Sequence, residues 1–255
     1  MSSELLDLAH DVAREAGVGL LAAFGQTVDV RTKSTPTDLV SQVDVDTEQL
    51  IRTRLEAARP DDAVLGEEDD DRAGTSGLRW VVDPLDGTIN YLFGIPAWCV
   101  SIACEDEAGT LLGVVLDPVR DELWAAERDG PATLNGTEFT APGRSDLATA
   151  LVGTGFGYDP AVRAVQAATV ARLLPRVRDI RRIGSAAVDL AWTAAGRLDA
   201  FYERGINHWD IAAGALICER AGLAVRELAP TPPARGGVLV AAPRLADELE
   251  ALLRE

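Results

Sequence analysis

WVVDPLDGT, at Trp80–Thr88, carries the strongest structural and chemical signal in this sequence. The apolar residues at the start of this motif predict a short buried strand over Arg79–Asp83. Pro84 then favours a turn, so the carboxylates of Asp83 and Asp86, three residues apart, can point at one spot. A strand that ends in two convergent carboxylates predicts a site for cations.

The end of the same motif adds a second type of group. Gly87 and Thr88 could open a short helix, and the amides at a helix N-terminus favour an anion. One turn could thus hold cations through carboxylates and a phosphate through amides. On its own, the motif could equally be an acidic turn after a strand.

Two other segments supply carboxylates next to apolar elements. Glu67 follows the predicted strand Ala63–Leu65, although the acidic run beyond it could be a solvated loop. Asp210 opens an apolar helix, where an aspartate often serves only as a cap. Hard divalent cations such as Mg²⁺ take oxygen ligands. The carboxylates available for them are those of Glu67, Asp83, Asp86 and Asp210.

The order of predicted elements divides the chain into two parts. Residues 1–145 read as an α+β lobe with two helices against an antiparallel sheet, and this lobe carries most of the candidate ligands. In residues 146–255, strands alternate with helices, which predicts an α/β lobe that carries Asp210 and the substrate pocket.

Composition narrows the class of partner. The 255 residues include 41 Asp and Glu against 24 Lys and Arg, a net charge of −17. This charge disfavours nucleic acid and anionic membranes, which are polyanions. Three cysteines without a CxxC motif fit a reduced, cytoplasmic thiol set. No apolar run is long enough to predict a membrane span.

Together these segments resemble the inositol monophosphatase family, within the Mg²⁺-dependent, lithium-sensitive phosphatases. The resemblance runs from the loop KSTPTDLV at Lys33–Val40, through GEE and DPLDGT, to the WD pair at Trp209–Asp210. It implies an α/β fold, a layered α-β-α-β-α sandwich of the inositol monophosphatase and fructose-1,6-bisphosphatase type. It also implies a homodimer and two or three Mg²⁺ ions per active site.

The resemblance also assigns roles to residues. It implies a first metal site at Glu67, Asp83 and the Leu85 carbonyl, and a second at Asp83, Asp86 and Asp210, with Glu67 also at a weaker third. The implied reaction is in-line attack of a metal-activated water, oriented by Glu67 and the hydrogen-bonded pair Asp44 and Thr88. The remaining implied contacts are a phosphate cradle at Gly87 and Thr88, a mobile-loop lysine at Lys33, and substrate contacts at Asp86, Gly184, Ser185, Ala186, Glu203 and Asp210.

The resemblance predicts inositol monophosphate, or a similar polyol or sugar phosphate, as the substrate. Glu203 supports a polyol because a carboxylate can accept from two adjacent hydroxyls. The same chemistry could act on fructose 1,6-bisphosphate, histidinol phosphate, a nucleotide 3′-phosphate or NADP. Two other classes are a non-catalytic RNA-associated regulatory protein on this fold and a two-carboxylate carbohydrate hydrolase, which would not need metal.

Overall fold

The computed structural model describes residues 2–26, 30–32 and 39–254. In this part of the chain, none of the helices is long and apolar enough to cross a membrane. The described α-helices are α1 (Ser2–Ala23), α2 (Gln42–Ala58), α3 (Thr88–Leu92), α4 (Pro160–Leu173), α5 (Ala186–Ala194), α6 (His208–Arg220) and α7 (Pro243–Arg254).

Two strands early in the chain form a small antiparallel pair, β1 (Val30–Thr32) with β2 (Leu39–Ser41). In the larger of the two main sheets, the strands lie side by side in chain order. Its strands are β3 (Ala63–Gly66), β4 (Arg79–Asp86), β5 (Cys99–Asp106), β6 (Gly109–Asp117), β7 (Glu122–Glu127), β8 (Ala132–Leu134) and β9 (Thr137–Phe139).

The prediction of an antiparallel first sheet is wrong at one edge, because β3 runs parallel to β4. Strand β8, only three residues long, was not predicted. Strand β4 continues to Asp86, beyond the predicted end at Asp83, through an irregularity in its pairing with β5. Pro84 lies there, and a proline cannot donate to the strand ladder. The irregularity bends the strand where its two carboxylates lie.

The second sheet is mixed, with the order β11-β10-β12-β14-β13. Strand β10 runs parallel to both its neighbours, whereas β14 runs antiparallel to both of its own. The strands are β10 (Leu151–Thr154), β11 (Asp179–Arg181), β12 (Ala200–Arg204), β13 (Ala224–Leu228) and β14 (Gly237–Ala241).

Three apolar clusters bind these elements into layers. On one face of the first sheet, residues such as Trp80 and Val82 pack with α1 and α2. The next residue in the strand, Val81, points to the other face and packs with α5, α6 and Phe201 of the second sheet. A third cluster joins the far face of the second sheet to α4 and α7. The order α-β-α-β-α confirms the predicted fold class, while the division into two lobes at residue 145 stays a prediction.

Candidate active site

One pocket gathers most of the residues that the sequence singled out. It has a volume of about 700 Å³ and opens where β4, α3, α5, β12 and α6 meet. Lys33 lies outside the described residues, and Asp44 stands behind the wall of the pocket rather than in it. The predicted residues in its lining are Glu67, Asp83, Leu85, Asp86, Gly87, Thr88, Gly184, Ser185, Ala186, Glu203 and Asp210.

Glu67, Asp83, Asp86 and Asp210 form what we call the carboxylate wall. Burial raises the pKa of Asp83 well above its usual range, and the charges of the other three acids raise it further. Burial also raises the pKa of Asp86, to about 6, and that of Asp210, where the charges of Asp86 and Glu67 add to the effect. These shifts mean that negative charge is crowded here and is costly without a cation.

The hydrogen bonds that fix Asp83 and Asp86 come from neutral donors. Asp83 accepts from the Leu85 amide at 3.0 Å. Asp86 Oδ2 accepts from the Ser185 hydroxyl at 2.8 Å and from the Ala187 amide at 2.6 Å. These neutral donors orient the carboxylates without cancelling their charge.

Asp210 occupies the third position of α6 rather than the cap itself. Asn207 is the N-cap, and its backbone N–H donates to Asp210 Oδ2 at 2.7 Å in a capping box. Asp210 can therefore cap the helix and bind a metal at the same time, because a carboxylate with one oxygen bound to an amide still has free lone pairs.

Thr88 and Asp44 are in direct contact. The Thr88 hydroxyl donates to Asp44 Oδ1 at 2.7 Å and lies 3.1 Å from the Leu85 carbonyl oxygen. Asp44 is 1% exposed and belongs to the first turn of α2. With its proton directed at these acceptors, the Thr88 oxygen can accept a hydrogen bond from a molecule in the pocket.

Gly155, Ser185, Asp189 and Glu203 form what we call the second wall. Burial raises the pKa of Glu203 to about 7, even though the charge of Arg182 opposes the shift. A Cβ on Gly155 would lie 1.9 Å from Glu203 Oε2, so only glycine leaves this carboxyl its place. Ser185 caps α5 by accepting from the Val188 amide while its hydroxyl proton goes to Asp86.

Sequence reasoning missed several residues of this pocket. Asp189 is 1% exposed, and its Oδ1 has no hydrogen-bond partner in the described part of the chain. A lone acid in the apolar helix AAVDLAWTA was a signal that could have found it. Arg182 supplies positive charge to the lining, which also contains Gly155 and Gly157. These glycines allow a close approach of side chains.

The donor set fits a hard cation in its chemistry. The carboxylate wall offers only oxygen atoms, which Mg²⁺ prefers, and its raised pKa values indicate charge that a cation would offset. Among the described residues, no three Asp, Glu, His or Cys side chains already converge as a ligand set. The carboxylates thus share a pocket without forming a closed ligand shell.

Comparison with known proteins gives one consistent family. The model of the inositol monophosphatase family matches residues 1–255. The chain is 47% identical over 237 residues to the inositol-1-monophosphatase SuhB of Mycobacterium tuberculosis, covering 88% of this chain and 81% of that protein. It is 42% identical over 225 residues to the Nus factor SuhB of Xylella fastidiosa, covering 87% and 81%.

A solved structure agrees with these relatives. The extragenic suppressor protein suhB of Bartonella henselae superimposes with a TM-score of 0.91 at 33% identity, over 99% of both chains. Family model, relatives and fold all confirm the resemblance seen in the sequence motifs. The chain belongs to the inositol monophosphatase family.

Proposed function

We propose that this protein is a Mg²⁺-dependent phosphomonoesterase that releases phosphate from inositol monophosphate or a similar polyol phosphate. The observation that carries the proposal is the pocket itself, in which the carboxylate wall faces the same space as Glu203. A phosphate ester needs positive charge at its phosphate and hydrogen-bond acceptors at its alcohol. In one cavity, the carboxylate wall would hold the cations that supply the positive charge, and the second wall supplies the acceptors.

The residues that would hold Mg²⁺ are Glu67, Asp83 and the Leu85 carbonyl in one site, and Asp83, Asp86 and Asp210 in another. Bound there, Mg²⁺ supplies the positive charge that stabilises the phosphate and the leaving oxygen, and it makes water more acidic. The family relationship and the crowded carboxylates support this assignment.

Thr88 and Glu67 would position the attacking water. The Thr88 hydroxyl is held by Asp44, so its oxygen accepts a hydrogen bond from the water while Glu67 accepts a second. Two acceptors fix the direction of the water's lone pair, and fixed geometry lowers the entropic part of the barrier. Gly87 and Thr88, at the start of α3, would direct their amides at the phosphate.

Glu203 would hold the alcohol part of the substrate. Its carboxyl is buried in the pocket lining and can accept from adjacent hydroxyls, as Gly184, Ser185 and Ala186 shape the space beside it. Asp86 and Asp210 would contact the same substrate from the carboxylate wall. The homodimer implied by the family resemblance belongs to this proposal as well.

A phosphate-release screen with Mg²⁺ tests the proposal. The substrates are inositol monophosphate, fructose 1,6-bisphosphate, histidinol phosphate, a nucleotide 3′-phosphate and NADP. We expect the fastest release from inositol monophosphate, complete loss with EDTA, and inhibition by lithium. Full activity in a thoroughly chelated sample would overturn the metal assignment and favour a two-carboxylate hydrolase. Faster release from another substrate would change the proposed substrate but not the proposed metal-dependent hydrolysis.

The second candidate is a non-catalytic, RNA-associated regulatory protein on the same fold. Relatives such as the Xylella fastidiosa protein carry the name Nus factor SuhB, which is the observation in its favour. The net charge of −17 argues against broad binding of nucleic acid. Binding to structured RNA, together with no phosphate release from any of the five substrates, would support this candidate over the first.

A further inference from the structure

Two buried charged side chains on α2 have no place in the reaction described above. Glu48 is 1% exposed and Arg52, one helical turn later, is 5% exposed. Arg52 Nε donates to Glu48 Oε1 at 2.8 Å. A buried ion pair contributes little to stability compared with apolar residues of the same volume, because both charges lose their hydration. What the pair does beyond stability therefore needs an explanation.

The pair binds the backbone that directly follows Glu67. Glu48 Oε2 accepts from the Glu68 amide at 2.8 Å, and Glu48 Oε1 accepts from the Asp69 amide at 3.1 Å. Arg52 Nη2 donates to the Asp69 carbonyl oxygen at 3.1 Å. Three backbone groups in two consecutive residues are held by two side chains of one helix.

The contact is also close on the other side of Glu67. A Cβ on Gly66 would lie 2.2 Å from Glu48 Oε1, so the strand end rests directly against the Glu48 carboxylate. Gly66 is itself paired with Val82 in the first sheet. The backbone is thus fixed immediately before Glu67 by the sheet and immediately after it by Glu48 and Arg52.

Electrostatics explain why such a restraint is needed. Glu67 shares its pocket with Asp83, Asp86 and Asp210, and like charges in a buried site repel one another. The segment after it continues with more acids, Asp69–Asp71. Without a restraint, repulsion would favour conformations in which Glu67 leaves the pocket, and a cation would have to bring it back.

We propose that Glu48, held by Arg52, is a positioning residue that keeps Glu67 in the pocket and so raises the affinity for Mg²⁺. The inference rests on the proposed function, since it takes Glu67 as a metal ligand. Glu48 touches neither metal nor substrate in this scheme. Its effect should therefore appear in the Mg²⁺ concentration that the protein needs, and much less in the rate at saturating Mg²⁺.

The test compares the parent with Glu48→Gln, which keeps the size of the side chain and removes its charge. The first readout is the melting temperature as a function of Mg²⁺ concentration, which reports binding without turnover. Because this stabilisation rises with the logarithm of the Mg²⁺ concentration, the half-saturating concentration is taken as the Kd fitted to the rise. We expect it to increase about 10–100-fold, the usual loss when an outer partner of a metal ligand is removed. At saturating Mg²⁺, kcat should stay within about threefold of the parent.

Hydrogen exchange gives a second readout in the metal-free protein. The Glu68 and Asp69 amides should exchange faster in Glu48→Gln, while the amides of β5 and β6 keep their parental rates. Parental exchange at both amides would show that Glu48 does not hold this segment.

Asp62→Asn is the matched control. Asp62 is also 1% exposed and bonded to an arginine, with Arg59 Nε at 3.0 Å and Trp80 Nε1 at 3.0 Å. It precedes β3, whereas Glu67 follows that strand. The control should lower the melting temperature without changing the half-saturating Mg²⁺ concentration.

If Glu48→Gln does not fold, the double variant Glu48→Leu/Arg52→Met takes its place, because it removes both buried charges at similar volume. Parental Mg²⁺ half-saturation in whichever variant folds would overturn the inference while leaving the metal site intact. If Mg²⁺ produces no melting shift in the parent itself, the proposed metal role of Glu67 is wrong, and the positioning role falls with it.

Discussion

The two walls of the pocket are built in different ways. Three of the four acids in the carboxylate wall lie between Glu67 and Asp86, directly after β3 and in the last four residues of the parallel strand β4. The second wall takes residues from the loop after β10, the start of α5 and β12, between Gly155 and Glu203. The first wall concentrates charge, whereas the second provides space and buried acceptors. Chemistry and substrate choice should therefore respond to different mutations.

Asp83→Asn should have the largest effect, because Asp83 belongs to both proposed metal sites. We expect activity to fall by more than the roughly 10–100-fold that loss of an outer partner costs. The metal-free variant should melt at the parental temperature or above it, since one repelling charge is gone and the asparagine oxygen can still accept from the Leu85 amide.

The Mg²⁺-induced melting shift decides the interpretation of this variant. Saturation at about 100 times Kd would add roughly 2.7 kcal/mol to the parent, and this gain should shrink in Asp83→Asn. Asp129→Asn makes the same charge change on the exposed surface and should keep the parental shift. An undiminished shift in Asp83→Asn would show that Asp83 is not a ligand.

Glu203→Gln should change substrate choice with a smaller loss. A hydrogen bond to a charged group contributes roughly 1.5–3 kcal/mol, so kcat/KM for a polyol phosphate should fall by about one to two orders of magnitude. A simple aryl phosphate has no hydroxyls to hold and should be largely spared. Glu227→Gln, on the exposed face of β13, is the control. Equal losses on both substrates would place Glu203 in the phosphate chemistry instead.

Gly155→Ala tests whether the second wall depends on space. The added Cβ would lie 1.9 Å from Glu203 Oε2, so the carboxyl must shift. We expect a stability loss of roughly 1–3 kcal/mol and a KM increase for the polyol phosphate smaller than that of Glu203→Gln. Gly19→Ala, in α1 with no atom within 4 Å of the new Cβ, should leave both unchanged or slightly stabilise the helix. If Gly155→Ala keeps the parental KM, the position of Glu203 does not affect substrate binding.

The pH dependence of stability should give the smallest effect. Burial raises the pKa of Glu203 from 4.5 to about 7, so the folded protein holds this proton more tightly than the unfolded chain. Between those values the unfolded chain loses the proton first, and the Glu203 contribution to stability falls as pH rises from 4.5 to 7. In Glu203→Gln the side chain does not titrate, so this pH-dependent contribution to stability is absent.

The melting temperature of metal-free Glu203→Gln, relative to the parent, should therefore increase as pH rises across this window. Melting curves at several pH values in EDTA measure the difference. A difference that stays constant from pH 4.5 to 7 would show that Glu203 has an ordinary pKa.

Much of the fold could be predicted from local pattern. The strand predicted over Ala63–Leu65 agrees with β3 within a residue, and the strand predicted from Arg79 begins where β4 begins, because each is a short apolar run with clear limits. The parallel pairing of β3 and β4 could not be predicted. Strand direction depends on contacts between segments that no local spacing records.

The site divides in the same way. DPLDGT predicted that Asp83 and Asp86 converge, but it placed them on a turn, whereas both lie in β4 beside its irregular pairing with β5. Family resemblance connected them to Glu67 and Asp210. The sequence did not predict that Glu48 and Arg52 bind the segment after Glu67. An i,i+4 pair of opposite charges on a helix usually indicates a solvated surface. Only burial distinguishes the two cases.

The sequence by itself determined the family, the layer order and the acids of the carboxylate wall, because these depend on residue type within short contiguous segments. The tertiary structure decided the neighbours of those acids: Ser185 is bonded to Asp86, Glu203 lies against Gly155, and Asp189 is buried with an Oδ1 that accepts no hydrogen bond from the described residues. Burial and electrostatic repulsion arise only when distant segments pack together and exclude water. The raised pKa values and the space for a substrate are therefore properties of the folded chain.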